Sequence, residues 1–138
     1  MLRVAFASDN RSHVNQHFGA AERFIIHEVG PDKVTLVGVG EFSPTQMDGD
    51  EDKLIARIDF LTGCAAVFIM AIGASAIKQL LAANIQPVRV SEERQISAIL
   101  ADIQASMREG GEPWIDKALA AQKSPERFAA MADEQWLE

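Results

Sequence analysis

Residues 64–72, C-A-A-V-F-I-M-A-I, decide the architecture of this chain. The run is almost continuously apolar and lies between Gly63 and Gly73, the pattern of a short strand covered on both faces rather than one. Such a strand belongs in the interior of a sheet with helices on either side. The residues that follow agree. Gly73-Ala74-Ser75 leads into a helix over Ala76–Ala83, and Gln86–Val90 reads as another strand. This β-α-β succession calls for a parallel, right-handed crossover.

Upstream the period is different. Leu2–Ser8 alternates as a strand and is broken by Asp9-Asn10-Arg11-Ser12. Phe24–Val29 and Val34–Phe42 are two more strands, joined by the turn Gly30-Pro31-Asp32. Strands so close in sequence form an antiparallel meander. Asp50–Gly63 then places Leu54, Ile55, Ile58 and Leu61 at helical spacing, with acidic residues in the first turn and Gly63 to stop the helix. Downstream, Ser91 is read as the cap of a helix over roughly Arg94–Arg108, ended by Gly110-Gly111. The remainder holds two short helical patterns, the second beginning at Ser124-Pro125. The order β-β-β-α-β-α-β-α predicts an α/β fold, a ribonuclease-H-like five-stranded mixed sheet flanked by helices. Residues 1–110 form the domain; residues 111–138 are a helical extension that packs on it or docks a partner.

A chain of 138 residues with 48% hydrophobic and 24% charged residues suits one globular domain. Its net charge of −7 (13 cations against 20 carboxylates) argues against general affinity for nucleic acid or an anionic membrane. The apolar run at the start is too short for a signal peptide, and none approaches the roughly 20 residues of a membrane span, so a cytoplasmic location is expected. A single cysteine, Cys64, excludes an internal disulfide and any site built from several thiolates of one chain. The first forty residues balance Arg3, Arg11, Arg23 and Lys33 against Asp9, Glu22, Glu28 and Asp32, whereas residues 41–59 are strongly acidic. The amino-terminal part therefore tolerates an anion best.

In sheets of this kind, sites gather beyond the carboxyl ends of the parallel strands. Those ends are the 9–19 loop, Gly73-Ala74-Ser75 and Ser91. The loop holds His13 and His17, which in irregular structure carry no fixed relation and would ordinarily be solvated. Its length and position favour function, and imidazole is a ligand suited to iron and zinc. A nuclease would need several carboxylates converging on metals; only Asp9 is placed for that, and its ordinary role is to cap the loop. His27 is mid-strand, where alternation points it outward. Cys64, at the amino end of the buried strand, reads as a core residue before a ligand, as does Met70. The turn Gly73-Ala74-Ser75 offers backbone N–H groups, a generic anion site.

Three segments carry a family resemblance: V-N-Q-H-F-G-A-A-E-R-F-I-I (Val14–Ile26), D-G-D-E-D-K-L (Asp48–Leu54) and G-C-A-A-V-F-I-M-A-I-G-A-S-A-I-K-Q-L (Gly63–Leu80). In this order they resemble the nitrogenase iron–molybdenum cofactor (FeMo-co) biosynthesis proteins of the NifX, NifY and NifB carboxyl-terminal domain family. The resemblance implies a non-enzymatic carrier that binds the iron–sulfur precursor of FeMo-co, or FeMo-co itself. Its partners would be NifB, which makes the precursor, and the NifEN scaffold, which receives it. It also implies His17, in H-F-G, as first metal ligand and His13 as helper; Cys64 and Met70 stand behind them on their chemistry alone. Arg11, Arg23, the N–H groups near Gly73 and Ser75, and Asn15 or Gln16 would complement the cluster's charge. Phe18, beside Gly19, would shield one side. A monomer is expected, or a weak dimer. Two other readings stay open: a zinc- or haem-binding sensor using His13 and His17, and an adaptor with no ligand role.

Overall fold

The apolar run does form an interior strand, β5 (Ala66–Ile69), and all its residues are buried. The structure, a computed structural model, describes residues 1–42 and 51–122. β5 lies between β1 (Leu2–Ala7) and β6 (Gln86–Arg89), parallel to both. On the other side of β1, β3 (Arg23–Val29) and β4 (Val34–Glu41) continue the sheet antiparallel, giving the order β4-β3-β1-β5-β6. The strand is shorter than its apolar run because both flanks are tied differently. Cys64 N–H closes the preceding turn onto Leu61 O at 2.9 Å, and Met70 N–H goes to the loop residue Gln16 at 3.0 Å.

Alternation along β1 sorts the two faces. Ala5 and Ala7 point into one cluster with Phe24, Val67 and Ile69, covered by α1 (Glu51–Phe60) and α2 (Ala74–Ala82). Val4 and Phe6 point into the other with Phe68, covered by α3 (Ile96–Glu109) and by α4, a helix over 113–122. Each wholly buried large apolar side chain contributes about 1.5–3 kcal/mol, so these two layers supply most of the driving force. α1 can approach the sheet edge because position 40 is glycine: a Cβ there would lie 2.5 Å from the Phe60 ring. Gly63, at φ +94°, supplies the left-handed stop after α1.

Three expectations change. Ser91 does not cap α3. The chain instead runs through a two-residue strand, β7 (Arg94–Gln95), paired antiparallel with β2 (His13–Val14) inside the supposedly irregular loop. Helix α3 starts at Ile96 with Gln95 as N-cap and no side-chain cap; Ile96 N–H is satisfied by Ser12 O at 2.8 Å. His27 does not point into solvent. It pairs with Val4 of β1, and its ring packs edge-on against Phe6 at 5.6 Å on the face that α3 covers; the register shift beside it, between Ile26 and His27, falls on the β4 side. The start of the first predicted helix at Asp50, much of the segment Asp48–Leu54 and the pair Ser124-Pro125 lie outside the described residues. No helix among the described residues is long and apolar enough to cross a membrane.

Candidate functional site

The loop between β1 and β3 is built from its own polar side chains. Ser8, fully buried, accepts the N–H of Asn10 at 3.3 Å and of Arg11 at 3.0 Å. Asn10 Oδ1 accepts the N–H of Ser12 and of His13, each at 3.0 Å. Wrapped this way, Arg11 adopts φ 66°, a left-handed conformation uncommon outside glycine. Asn15 and Asp9 then clasp one another: Asp9 N–H donates to Asn15 Oδ1 at 3.1 Å, and Asn15 Nδ2 to Asp9 Oδ1 at 2.7 Å. The carboxylate of Asp9 thus holds the loop.

The segment holding His17 is stitched to the carboxyl end of β5. Gln16 O accepts Met70 N–H, Phe18 N–H donates to Ala71 O at 2.8 Å, and His17 makes a parallel bridge with Ala71. The 3₁₀ turn Phe18–Ala20 follows, with His17 as its N-cap. Phe18 is the anchor. It is fully buried against Phe24, ring centroids 5.5 Å apart, and so cannot shield a ligand as expected. Beneath the turn lies Arg57 of α1, 3% exposed, its Nη2 donating to Ala21 O at 2.9 Å and its guanidinium 4.9 Å from the centre of the Phe42 ring. Burial pushes its pKa down. In sequence Arg57 looks like any helix-surface cation, and only the packing of α1 reveals its place.

The predicted residues are therefore in different states. His17 is exposed, and its ring makes no hydrogen bond or ion pair among the described residues. His13 is partly buried on β2, its Nδ1 2.9 Å from Ser12 Oγ. The side chains of Asn15 and Gln16 are committed to the loop, Gln16 Oε1 taking Glu22 N–H at 2.9 Å. Arg23 is committed too, donating to Asp9 O at 2.6 Å and pairing with Glu41 at 3.4 Å. Arg11 lines a cleft of about 360 Å³ with Ser12, His27 and the first residues of α3. Gly19, Gly73 and Ser75 are exposed, and Gly73 is the N-cap of α2 with no side-chain cap. Met70 is half-buried next to the bridge.

Cys64 stands apart from all of these, 4% exposed at the amino end of β5; burial pushes its thiol up to about 11, partly offset by Arg3. Desolvation likewise lowers the His27 imidazole, whose Nδ1 is buried without a hydrogen-bond partner among the described residues. Among the described residues no three His, Cys, Asp or Glu side chains come together to hold a bare metal ion. A single exposed imidazole fits a ligand that already carries its own coordination better than it fits a naked cation.

Comparison with known proteins gives this edge a context. Residues 1–106 match the family described as dinitrogenase iron-molybdenum cofactor. The chain is 45% identical to Protein NifX of Azotobacter vinelandii over 138 residues, covering 99% of this chain and 87% of that protein. It is 37% identical to the FeMo cofactor biosynthesis protein NifB of Frankia alni over 95 residues, 65% of this chain and 19% of NifB. Among solved structures, the apo form of the orange protein from Desulfovibrio gigas shares the fold, with a TM-score of 0.59 at 19% identity, covering 78% of this chain and 90% of that one.

Proposed function

Since the chain belongs to the dinitrogenase iron-molybdenum cofactor family, we propose that it is a carrier, not an enzyme, that holds the iron–sulfur precursor of FeMo-co and passes it from NifB to the NifEN scaffold. The observation that carries this reading is the state of His17. Its imidazole is exposed and unengaged, yet its backbone is fixed between a strand bridge to Ala71 and a fully buried Phe18. A fixed backbone with a free side chain is what reversible ligation asks for: neutral imidazole can donate to iron, and a single donor can be displaced by the next protein's ligands. A preassembled cluster brings its own sulfides, so one or two exchangeable ligands suffice, with His13 as second.

The domain over 1–110 would carry this site and 111–138 would be an extension of it. We read the strand order, three antiparallel strands followed by two parallel ones, as ribonuclease-H-like with the catalytic carboxylates replaced by a ligand loop. The working location is cytoplasmic, and the carrier acts as a monomer.

The experiment mixes anaerobically purified protein with the isolated precursor cluster and compares retained iron for wild type, His13→Ala, His17→Ala and Cys64→Ser. His17→Ala should lose most of the iron, His13→Ala part of it and Cys64→Ser none. Equal retention by all four overturns the ligand assignment. Colourless zinc loading, or a Soret band after haem addition, would instead support a metal or haem sensor.

A further inference from the structure

Each described guanidinium has an identifiable place. Arg3 pairs with Glu28 at 3.2 Å, Arg23 with Glu41, Arg94 with Asp102 at 2.8 Å and Arg108 with Asp32 at 3.9 Å, while Arg57 is buried under the loop. In a chain of net charge −7, that leaves Arg11 and Arg89 with no carboxylate partner among the described residues. Arg11 faces the cleft beside His27. Arg89 ends β6 at the same sheet edge as His17.

The register fixes that relation. Arg89 is paired with Ile69, and its Nε donates to Met70 O at 3.3 Å. On the other side of the same residue, Met70 N–H holds Gln16 O, the neighbour of His17. The guanidinium is thus anchored one strand beyond β5, whose carboxyl end lies between it and the His17 segment, so the two backbones are two strand spacings, about 10 Å, apart. Among the described residues only Nε is engaged, which leaves both Nη groups to a ligand. Nearby, Glu92 and Glu93 follow in the loop after β6 and are exposed, so without Arg89 this edge would repel an anion.

We infer that Arg89 is the positioning charge for the cargo, its Nη groups donating to the sulfides of an anionic metal–sulfur cluster ligated by His17 across the Met70 carbonyl. The inference rests on the carrier reading and deepens it: the cargo is anionic at this edge, and the cation that meets it comes from β6 rather than from Arg23, which is already committed. Charge-assisted donors of this kind are partly screened by salt, so the signature is a salt dependence of retention.

The decisive measurement titrates the full chain anaerobically with a thiolate-capped [4Fe–4S] dianion at low and high ionic strength. Arg89→Gln should bind about three- to fivefold more weakly than wild type at low salt, the order expected for one partly exposed charge contact. The difference should close at high salt. Arg89→Lys should restore most of the binding, and Arg108→Gln, which changes net charge equally at the far end of α3, should match wild type. Circular dichroism melts confirm that the variants fold. Wild-type binding with an unchanged Arg89→Gln overturns this inference alone. Failure of wild type to bind, or binding that ignores His17→Ala, overturns the carrier reading and this inference with it.

Discussion

His17 and Cys64, two of the side chains chemically able to bind iron, stand at opposite ends of one strand. His17 is bridged to the carboxyl end of β5, exposed and unengaged; Cys64 precedes its amino end, 4% exposed, with its thiol pushed up to about 11. The thiolate is the stronger ligand for iron, but it is the anion that binds, and burial withholds it. The weaker donor is in the open. Position and protonation, more than ligand strength, separate an accessible donor from one that fills a core.

The contrast can be broken most forcefully at its anchor. Replacing Phe18 by alanine should cost about 3–5 kcal/mol in denaturant unfolding, as for other fully buried aromatic rings, and should release the loop that fixes His17. A loss below 1 kcal/mol would mean that Phe18 does not hold the loop down. Next comes Arg57→Met, which leaves Ala21 O without its donor; about 1–3 kcal/mol is expected, read by the same unfolding curves. If stability is unchanged, the loop does not depend on α1.

At the other end of the strand the comparison is sharpened by chemistry. Native Cys64 should resist iodoacetamide at pH 8 and react quickly once unfolded; fast native alkylation would show an accessible thiolate. The sign of the linkage follows from the raised value. The neutral thiol's contribution to stability is present below the unfolded value near 8.5 and is lost as pH rises toward about 11. Cys64→Ser removes that loss. The smallest effect belongs to His27, whose lowered pKa means that the unfolded chain takes up protons first. Stability should therefore fall as pH drops below about 6.5. His27→Phe should flatten this dependence while changing stability at pH 8 by no more than about 1 kcal/mol; an unflattened profile places the proton uptake elsewhere.

What the sequence revealed of these two ends was unequal. The buried strand, the meander and the crossover were legible because apolar periodicity is local and dense. The loop length and the H-F-G motif both singled out His17, and the structure places it exposed at the carboxyl end of β5; whether it ligates is for the iron-retention experiment. The pairing of β2 with β7 was not, since two-residue strands have no period and their partner lies far along the chain. That pairing, and not Ser91, sets the start of α3. Alternation does put His27 on the face opposite Ile26, but that face is covered by α3 instead of solvent, which the pattern of one strand does not reveal. Phe18 was read as a shield since hydrophobicity does not say whether a loop aromatic turns in or out. Arg57 and Arg89 were passed over for a related reason: what makes each notable is the carbonyl it reaches, on an element distant in sequence.

The small β2–β7 ladder bears on when the protein becomes competent as well as how. One wall of the histidine loop comes from the start of the domain and the residues that brace it from just before its last long helix, joined by the pairing of His13 with Gln95 and by Ile96 N–H on Ser12 O. A chain emerging from the ribosome therefore displays its histidines long before the segment that fixes their loop has been made. Only when the residues just before α3 have been made can Gln95 pair with His13 and Ile96 N–H close on Ser12 O, so the shape of this loop is a property of the finished domain and not of its amino-terminal part.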